Sequence, residues 1–367
     1  VGEAYHENMS KTEGLGSIFS LIRKSLIIPY FADVTVMLAP IHIEDIRNCI
    51  LSVVNNPHSF FKTYVVAGPE NLSTREVILR MLKFTNKKIV GMVLTHGHED
   101  HIGGLPFILP SLPQFPIYGS TLTSALANEK LMDVGVDRRV QTVKFNETIR
   151  LGGFSVNFIR VTHSVIDSAN LFIKTSAGNI YHGSDYKFDQ TPVDGKKTDV
   201  NEISKAGKEG ILCLFQDCLG AEREGFTPSE VKIKDSFEEE FRKTQGKIIV
   251  TTYSSNISRL NQAIEVGLKL NRKICFIGRS LIKARDIGKS LGYMNYPRIS
   301  EIKPQDVKKH NPSKVLLLVA GSQGQESSAL VRISSGEDRD VRIEKGDTVI
   351  FSSDPIPGNE VSVNSLI

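Results

Sequence analysis

His96-Gly97-His98-Glu99-Asp100-His101 follows, after Thr95, on the apolar run Ile89-Val90-Gly91-Met92-Val93-Leu94. The run reads as a strand, and the six polar residues open the loop at its end. Imidazole and carboxylate suit zinc, and a two-residue step in extended backbone sends the His96 and His98 rings the same way. Asp100 and His101 stand one turn further on, where they can reach a second ion. Dinuclear hydrolases hold their two metals about 3.5–4 Å apart. The plainer reading, a solvated polar loop, is disfavoured because two further candidate ligands stand at strand ends downstream.

The chain has 367 residues, 40% hydrophobic and 23% charged, as expected of a globular protein with two or three domains. No apolar run approaches the roughly 20 residues needed to span a bilayer. The opening Val1-Gly2-Glu3-Ala4 lacks the basic and apolar regions of a secretory signal, and without an initiator Met it reads as a fragment or partial frame. Four cysteines without a CxxC pair fit a reducing compartment, so the cytoplasm is the expected location. A net charge of +4 is compatible with an anionic polymer as partner without requiring one.

Three regions differ in texture. In residues 1–88 the stretch from Pro40 suggests a helix carrying Ile46 and Ile50, with His42 a structural residue. Residues 63–67 suggest a strand, and Ser73 with Glu76 suggests a capping box. Residues 89–210 alternate strands (89–94, 154–161, 169–175, 179–182) with polar turns and one helix near 121–132. Residues 211–350 take up a βα rhythm: strands at 211–215, 247–252, 273–277 and 314–319, with helices at 228–243, 256–270 and 280–291. That pattern predicts a parallel sheet flanked by helices. Three loops follow its strands: Tyr253-Ser254-Ser255-Asn256-Ile257-Ser258-Arg259, Gly278-Arg279-Ser280 and Ala320-Gly321-Ser322-Gln323-Gly324. Strand ends feeding helix starts present free N–H groups to phosphate, although Ser and Asn caps are individually ordinary.

Two downstream residues complete the constellation. His163 follows the strand 154–161, and Asp185 follows His182-Gly183-Ser184. Alone, each reads as a turn or cap residue. Together with the first loop they supply His96, His98 and His163 for one ion and Asp100, His101 and Asp185 for another, with Asp185 able to bridge. Water held between two cations loses a proton near neutral pH and becomes an in-line nucleophile. His182 reads as a packed strand-end residue.

Thr95-His96-Gly97-His98-Glu99-Asp100-His101 with Ile102-Gly103-Gly104, then Thr162-His163-Ser164 and Gly183-Ser184-Asp185, resembles the metallo-β-lactamase superfamily. Asp185-Tyr186-Lys187-Phe188-Asp189-Gln190-Thr191-Pro192-Val193 narrows the likeness to ribonuclease J, a β-CASP nuclease. So do Gly225-Phe226-Thr227-Pro228-Ser229-Glu230, Ser255-Asn256-Ile257 with Arg259, Gly278-Arg279-Ser280, Gly321-Ser322-Gln323-Gly324 and Pro355-Ile356-Pro357-Gly358-Asn359-Glu360. The resemblance covers residues 89 to 367. It implies an αββα metal domain (89–210), a β-CASP α/β domain (211–350) inserted into it, and a return segment (351–367).

By the same resemblance, the six residues above would ligate two zinc ions, and Asp100 and Asp185 would orient the attacking hydroxide. Asp217 would occupy the acidic motif A position. Ser255, Asn256, Arg259, Arg279, Ser280, Ser322 and Gln323 would cradle the phosphates of RNA. The implied activity is 5′ exonucleolytic or endonucleolytic cleavage of RNA in processing and decay, by homo-oligomers in the intact family pattern.

The chain also departs from that pattern. Cys218-Leu219 replace the Ser or Thr residues expected after Asp217, and Ser258 stands where a His is usual. Ile367 precedes the His motifs expected to donate a proton and to complete the second metal site, so that site should be the weaker. The segment from Pro40 to Phe84 instead resembles part of an extended short-chain dehydrogenase or epimerase, without its GxGxxG loop or Tyr-x-x-x-Lys pair. A chimeric gene is the expected explanation. Two rivals to the nuclease are a small-molecule metallohydrolase and a non-catalytic RNA-binding or inert fragment.

Overall fold

A computed structural model describes residues 88–367 except Gly220, Arg223 and Pro357. Before that it describes only Ala4–Tyr5, Met37–Leu38, Ile41–His42, Leu72–Ser73 and Glu76. Ile41–His42 is a two-residue strand paired in parallel with Ala4–Tyr5, so the helix expected from Pro40 does not include His42. The strand expected at 63–67 lies outside the described residues.

The first domain is a four-layer sandwich. Three short parallel strands, β1 (Met92–Leu94), β2 (Ile117–Gly119) and β3 (Val140–Thr142), form one sheet. Its outer face carries Leu94, Ile117 and Val140. These pack on Ile102 of α1 (Glu99–Ile102), Leu105 and Ile108 of α2 (Leu105–Ile108), and Ala127 and Leu131 of α3 (Thr121–Asp133).

A second sheet runs in the order β8-β7-β6-β5-β4, from β4 (Thr148–Leu151), β5 (Phe154–Arg160), β6 (Ala169–Thr175), β7 (Gly178–Gly183) and β8 (Cys213–Gln216). Period-two alternation sends Phe154, Val156 and Phe158 inward, where Val93 and Tyr118 of the first sheet meet them. Ile159, Phe172 and Tyr181 face the other way, onto Ala206 of α4 (Val200–Lys208). The layer order is therefore α, β, β, α.

The second domain holds a parallel sheet in the order β10-β11-β9-β12: β9 (Ile248–Thr251), β10 (Lys273–Ile277), β11 (Val315–Val319) and β12 (Thr348–Phe351). All five residues of β11 are buried, as a central strand covered on both faces requires. Leu316 and Leu318 pack with Phe241 of α5 (Lys232–Lys243), Leu260 of α6 (Ile257–Lys269) and Leu281 of α7 (Arg279–Ser290). Val315, Leu317 and Val319 face Leu330 and Ile333 of α8 (Ala329–Ser334). At the strands' N-terminal edge, buried Arg272 donates from Nη1 to the carbonyls of Gly246 (2.9 Å) and Val315 (3.0 Å) and from Nη2 to Thr244 (3.1 Å).

Two expectations need correction. Cys213–Gln216, read as the first strand of the βα rhythm, instead pairs in parallel with β7 and extends the first domain's sheet. The apolar run Leu212–Phe215 hides an alternation: Leu212 and Leu214 are exposed, whereas Cys213 and Phe215 pack inward on the sandwich. The segment after β12, expected to return to the metal domain, stays against the parallel sheet. Ile356 N–H donates to Gln323 Oε1 (2.7 Å), and Leu366 beyond α9 (Glu360–Asn364) packs on the Leu317 side of the core.

Candidate metal centre

Each donor of the site is placed by the end of a strand. β1 delivers Thr95 and then His96; His98 is the extended residue (φ −71°, ψ 156°) preceding α1, and it makes no side-chain cap with that helix. Its ring is therefore left for the site, and the first turn of α1 carries Asp100 and His101. β5 ends just before His163, and β7 just before Ser184 and Asp185. Three strand ends at one edge of the sandwich thus bring together residues almost ninety positions apart.

The donor atoms converge in two groups, His96–His98–His163–Asp185 and Asp100–His101–Asp185. In the first, His98 Nδ1 lies 3.1 Å from His96 Nε2 and 3.0 Å from His163 Nε2. Asp185 Oδ2 lies 3.7 Å from His96 Nε2 and 3.8 Å from His163 Nε2. Four donors at tetrahedral corners about 2.0–2.2 Å from one ion stand about 3.3–3.6 Å apart, so the observed edges fit one cation within a few tenths of an ångström. In the second group His101 Nε2 is 3.3 Å from Asp100 Oδ2 and 3.5 Å from Asp185 Oδ2. The same Asp185 oxygen serves both.

The outer ring nitrogens have their own partners. Ser164 Oγ lies 3.1 Å from His98 Nε2. Thr95 Oγ1 and Ser184 Oγ lie 3.2 and 3.3 Å from His96 Nδ1. Such contacts fix the tautomer and the ring plane of a ligating imidazole. The motif spacing did not single out these hydroxyls, although each adjoins a ligand in sequence.

Electrostatics sort the groups. Burial, reinforced by the neighbouring imidazoles, holds His96 well below the usual histidine range. Burial also lowers His98 against the pull of Asp100 and Asp185, and it lowers His163 with the help of His98. These three rings are neutral at pH 7, with lone pairs free to ligate. For His101 burial lowers the value too, but hydrogen bonds to Asp100 and Asp185 outweigh it and push it up to about 9. Two carboxylates around one imidazole mark a place that attracts positive charge, a metal cation included.

The other residues singled out from sequence divide by what they touch. Asn256 caps α6, its Oδ1 accepting from Arg259 N–H at 3.0 Å. The Arg259 guanidinium pairs with Glu230 and donates to Ser352 O at 2.7 Å. Gln323 Nε2 donates to Asp354 O at 3.1 Å, and Ser322 is buried beside it. Arg279 and Ser280 are exposed at the start of α7, and Ser255 is half-buried. Asp217 Oδ1 accepts from Leu219 N–H at 2.9 Å and belongs to neither donor group among the described residues; nor does His182, within β7. Tyr253, quoted from sequence only as the head of a phosphate-type loop, sets its ring edge to face with His98 at 6.3 Å and so brings the second domain to the donors.

Comparison with known proteins agrees with this geometry. Residues 67–199 match the family described as beta-lactamase superfamily domain, and residues 245–367 the one described as ribonuclease J, beta-CASP domain. The chain is 42% identical over 283 residues to ribonuclease J of Helicobacter pylori strain J99, covering 76% of this chain and 41% of that protein. It is 39% identical over 289 residues to ribonuclease J of Synechocystis sp. (78% and 45%) and 37% identical over 282 residues to ribonuclease J2 of Bacillus subtilis (76% and 51%). The chain therefore spans about half the length, or less, of these curated relatives. The dehydrogenase likeness of the N-terminal segment finds no support, and residues 67–88 fall inside the beta-lactamase match. An αββα sandwich with its histidine loop, joined to a parallel domain matched over 245–367, makes this chain a metallo-β-lactamase domain coupled to a β-CASP domain similar to that of ribonuclease J.

Proposed function

We propose that the chain is a metal-dependent ribonuclease of the ribonuclease J type that hydrolyses RNA phosphodiesters at the six-residue cluster. The observation that carries this reading is the convergence of His96, His98, His163 and Asp185, with Asp100 and His101 beside them, at the edge where Tyr253 of the second domain approaches. The donor set, imidazole nitrogen with carboxylate oxygen, suits zinc, and the two groups sharing Asp185 suit two ions. When bound, such ions supply Lewis acidity to a phosphoryl group and to water.

The chain's own residues do the rest. Burial keeps the His96, His98 and His163 rings unprotonated, and the hydroxyls of Ser164, Thr95 and Ser184 hold two of them in plane. Asp185 and Asp100 balance the charge of the cations and give a water molecule an acceptor that orients it. The exposed Arg279 and Ser280, and the half-buried Ser255, meet phosphates arriving along the C-terminal edge of β9–β12. Asn256, Arg259, Ser322 and Gln323 hold that edge in shape. RNA is the proposed partner.

The test is incubation of the zinc-loaded chain with labelled RNA, alongside thioester and lactone substrates and the His98→Ala variant. RNA shortening by the wild type alone is the expected result. RNA binding without turnover at full zinc occupancy, or turnover of the small substrates only, would overturn the proposal.

A further inference from the structure

The short loop between β5 and β6 does two jobs within five residues. At one end, His163 Nε2 and Ser164 Oγ both meet the His98 ring, at 3.0 and 3.1 Å. At the other, Asp167 is only 4% exposed and holds a left-handed backbone (φ 61°), uncommon outside glycine. Between them Val165 is wholly buried, not in the sandwich but in the second domain's cluster with Ile257, Leu260 and Met294; Ile166 packs against the same cluster. The loop that carries a metal-ligand candidate is thus a wedge driven into the neighbouring domain.

Asp167 fastens the wedge from both sides. Its Oδ1 accepts from Arg160 Nη1 at 3.1 Å, within its own domain. Its Oδ2 accepts from the hydroxyl of Tyr293, 126 residues away in the second domain. Tyr293 is itself rooted there: its carbonyl accepts from Asn261 Nδ2 of α6 at 2.7 Å, and its N–H donates to Gly288 O of α7 at 2.8 Å. Within the loop Ser168 Oγ donates to Val165 O at 2.8 Å. Beyond it, Ala169 N–H donates to Thr95 O at 3.0 Å, returning the chain to the residue before His96.

We propose that Tyr293 is a positioning residue for the first donor group. Through Asp167 it sets the loop that presents His163 and Ser164, so that affinity for a cation at His96–His98–His163 depends on this one contact from the β-CASP domain rather than on domain docking in general. Tyr293 touches no donor atom; it acts only through the loop. The inference rests on the metal reading above and is separable from the question of RNA turnover.

Competition titration of zinc against a chromophoric chelator tests it on the full chain. Tyr293→Phe removes one hydroxyl and keeps the ring. It is expected to weaken the tighter zinc step about tenfold, while Lys283→Met leaves that step within about twofold. Lys283 pairs with Glu129 and Asp133 across the same two domains but does not touch the loop, so it controls for loosened docking in general. The thermal midpoint of Tyr293→Phe in excess chelator should fall, as loss of a hydrogen bond to a buried carboxylate requires, and the ligand-field spectrum of the cobalt-loaded variant should change. A purely structural tyrosine would lower the midpoint and leave the spectrum alone.

Unaltered zinc affinity in Tyr293→Phe, or equal weakening by Lys283→Met, overturns the inference. Should Tyr293→Phe not fold, Asp167→Asn probes the same contact with the same two readings. A wild type that binds no zinc defeats the metal reading together with this inference. A wild type that binds zinc and is matched by Tyr293→Phe defeats the inference alone.

Discussion

The two sides of the cleft solve opposite problems. On the sandwich side, three histidines and a carboxylate bring their donor atoms within 4.8 Å of one another, with the three rings neutral. On the β-CASP side, three of the seven side chains that motif reading assigned to phosphate are already engaged: Asn256 with the start of α6, Arg259 with Glu230, Gln323 with Asp354. One side is arranged for a guest, the other is a rim partly spent on its own shape. The contrast teaches that a polar residue in a recognised loop serves recognition or architecture according to whether its hydrogen-bonding capacity is spent within the fold.

The largest effect should come from the donor side. His98→Ala removes a ring that meets His96, His163 and Ser164 at once, and it should abolish hydrolysis and most bound zinc, read by metal analysis and RNA cleavage. Full zinc stoichiometry in that variant would contradict the ligand assignment.

The rim provides the next test, because its two arginines should part company. Arg259→Met leaves the part-buried Glu230 with only Lys187 as counter-charge among the described residues and should cost about 3 kcal/mol in a denaturant melt, as when one partner of a buried pair is lost. Arg279→Met should stay within about 0.5 kcal/mol in the same melt. It should instead weaken RNA binding and reduce the salt slope of log K by about 1. Equal behaviour of the two would erase the distinction between shape and recognition.

A smaller effect concerns acid. Glu301 accepts from Lys289 (2.7 Å) and Tyr296 (2.8 Å) and pairs with Arg285, remote from the donors. Burial opposes its ionisation, yet these contacts hold its carboxyl below the usual range. A depressed folded value means the stabilisation is complete above the unfolded value, about 4.3, and is lost as pH falls through the folded one. Glu301→Gln should therefore lower stability at pH 7 and flatten its decline below about pH 4. An unchanged acid limb in melts from pH 3 to 7 would remove Glu301 from the account.

Much of this was legible in one sequence. The donor residues announce themselves because imidazole and carboxylate at strand ends are chemically unusual. The strands of the parallel sheet are nearly continuous apolar runs, so 273–277 was delimited to the residue and 314–319 to within one. The allegiance of Cys213–Gln216 was not legible: a βα rhythm records order along the chain, while sheet membership is decided by long-range pairing. For the same reason the hydroxyls of Ser164 and Ser184 were quoted within motifs but given no role. Their role exists only once His98 and His96 arrive from elsewhere in the chain. Tyr253 was read only as the head of a Ser-rich loop, because no spacing ties an aromatic there to His98. For most of residues 1–87 the sequence has no described counterpart against which to be read.

Arg272 gives the parallel sheet a pinned base. One guanidinium collects carbonyls from the chain just before β9 and from the first residue of β11, so the strands are sewn together where they begin. Amide protons near Ile248, Ile274 and Leu316 should then be the last in this domain to exchange with heavy water, and those near Thr251, Ile277 and Val319 should go earlier. A sheet that frays from its C-terminal end inward can adjust its rim while its foundation keeps register.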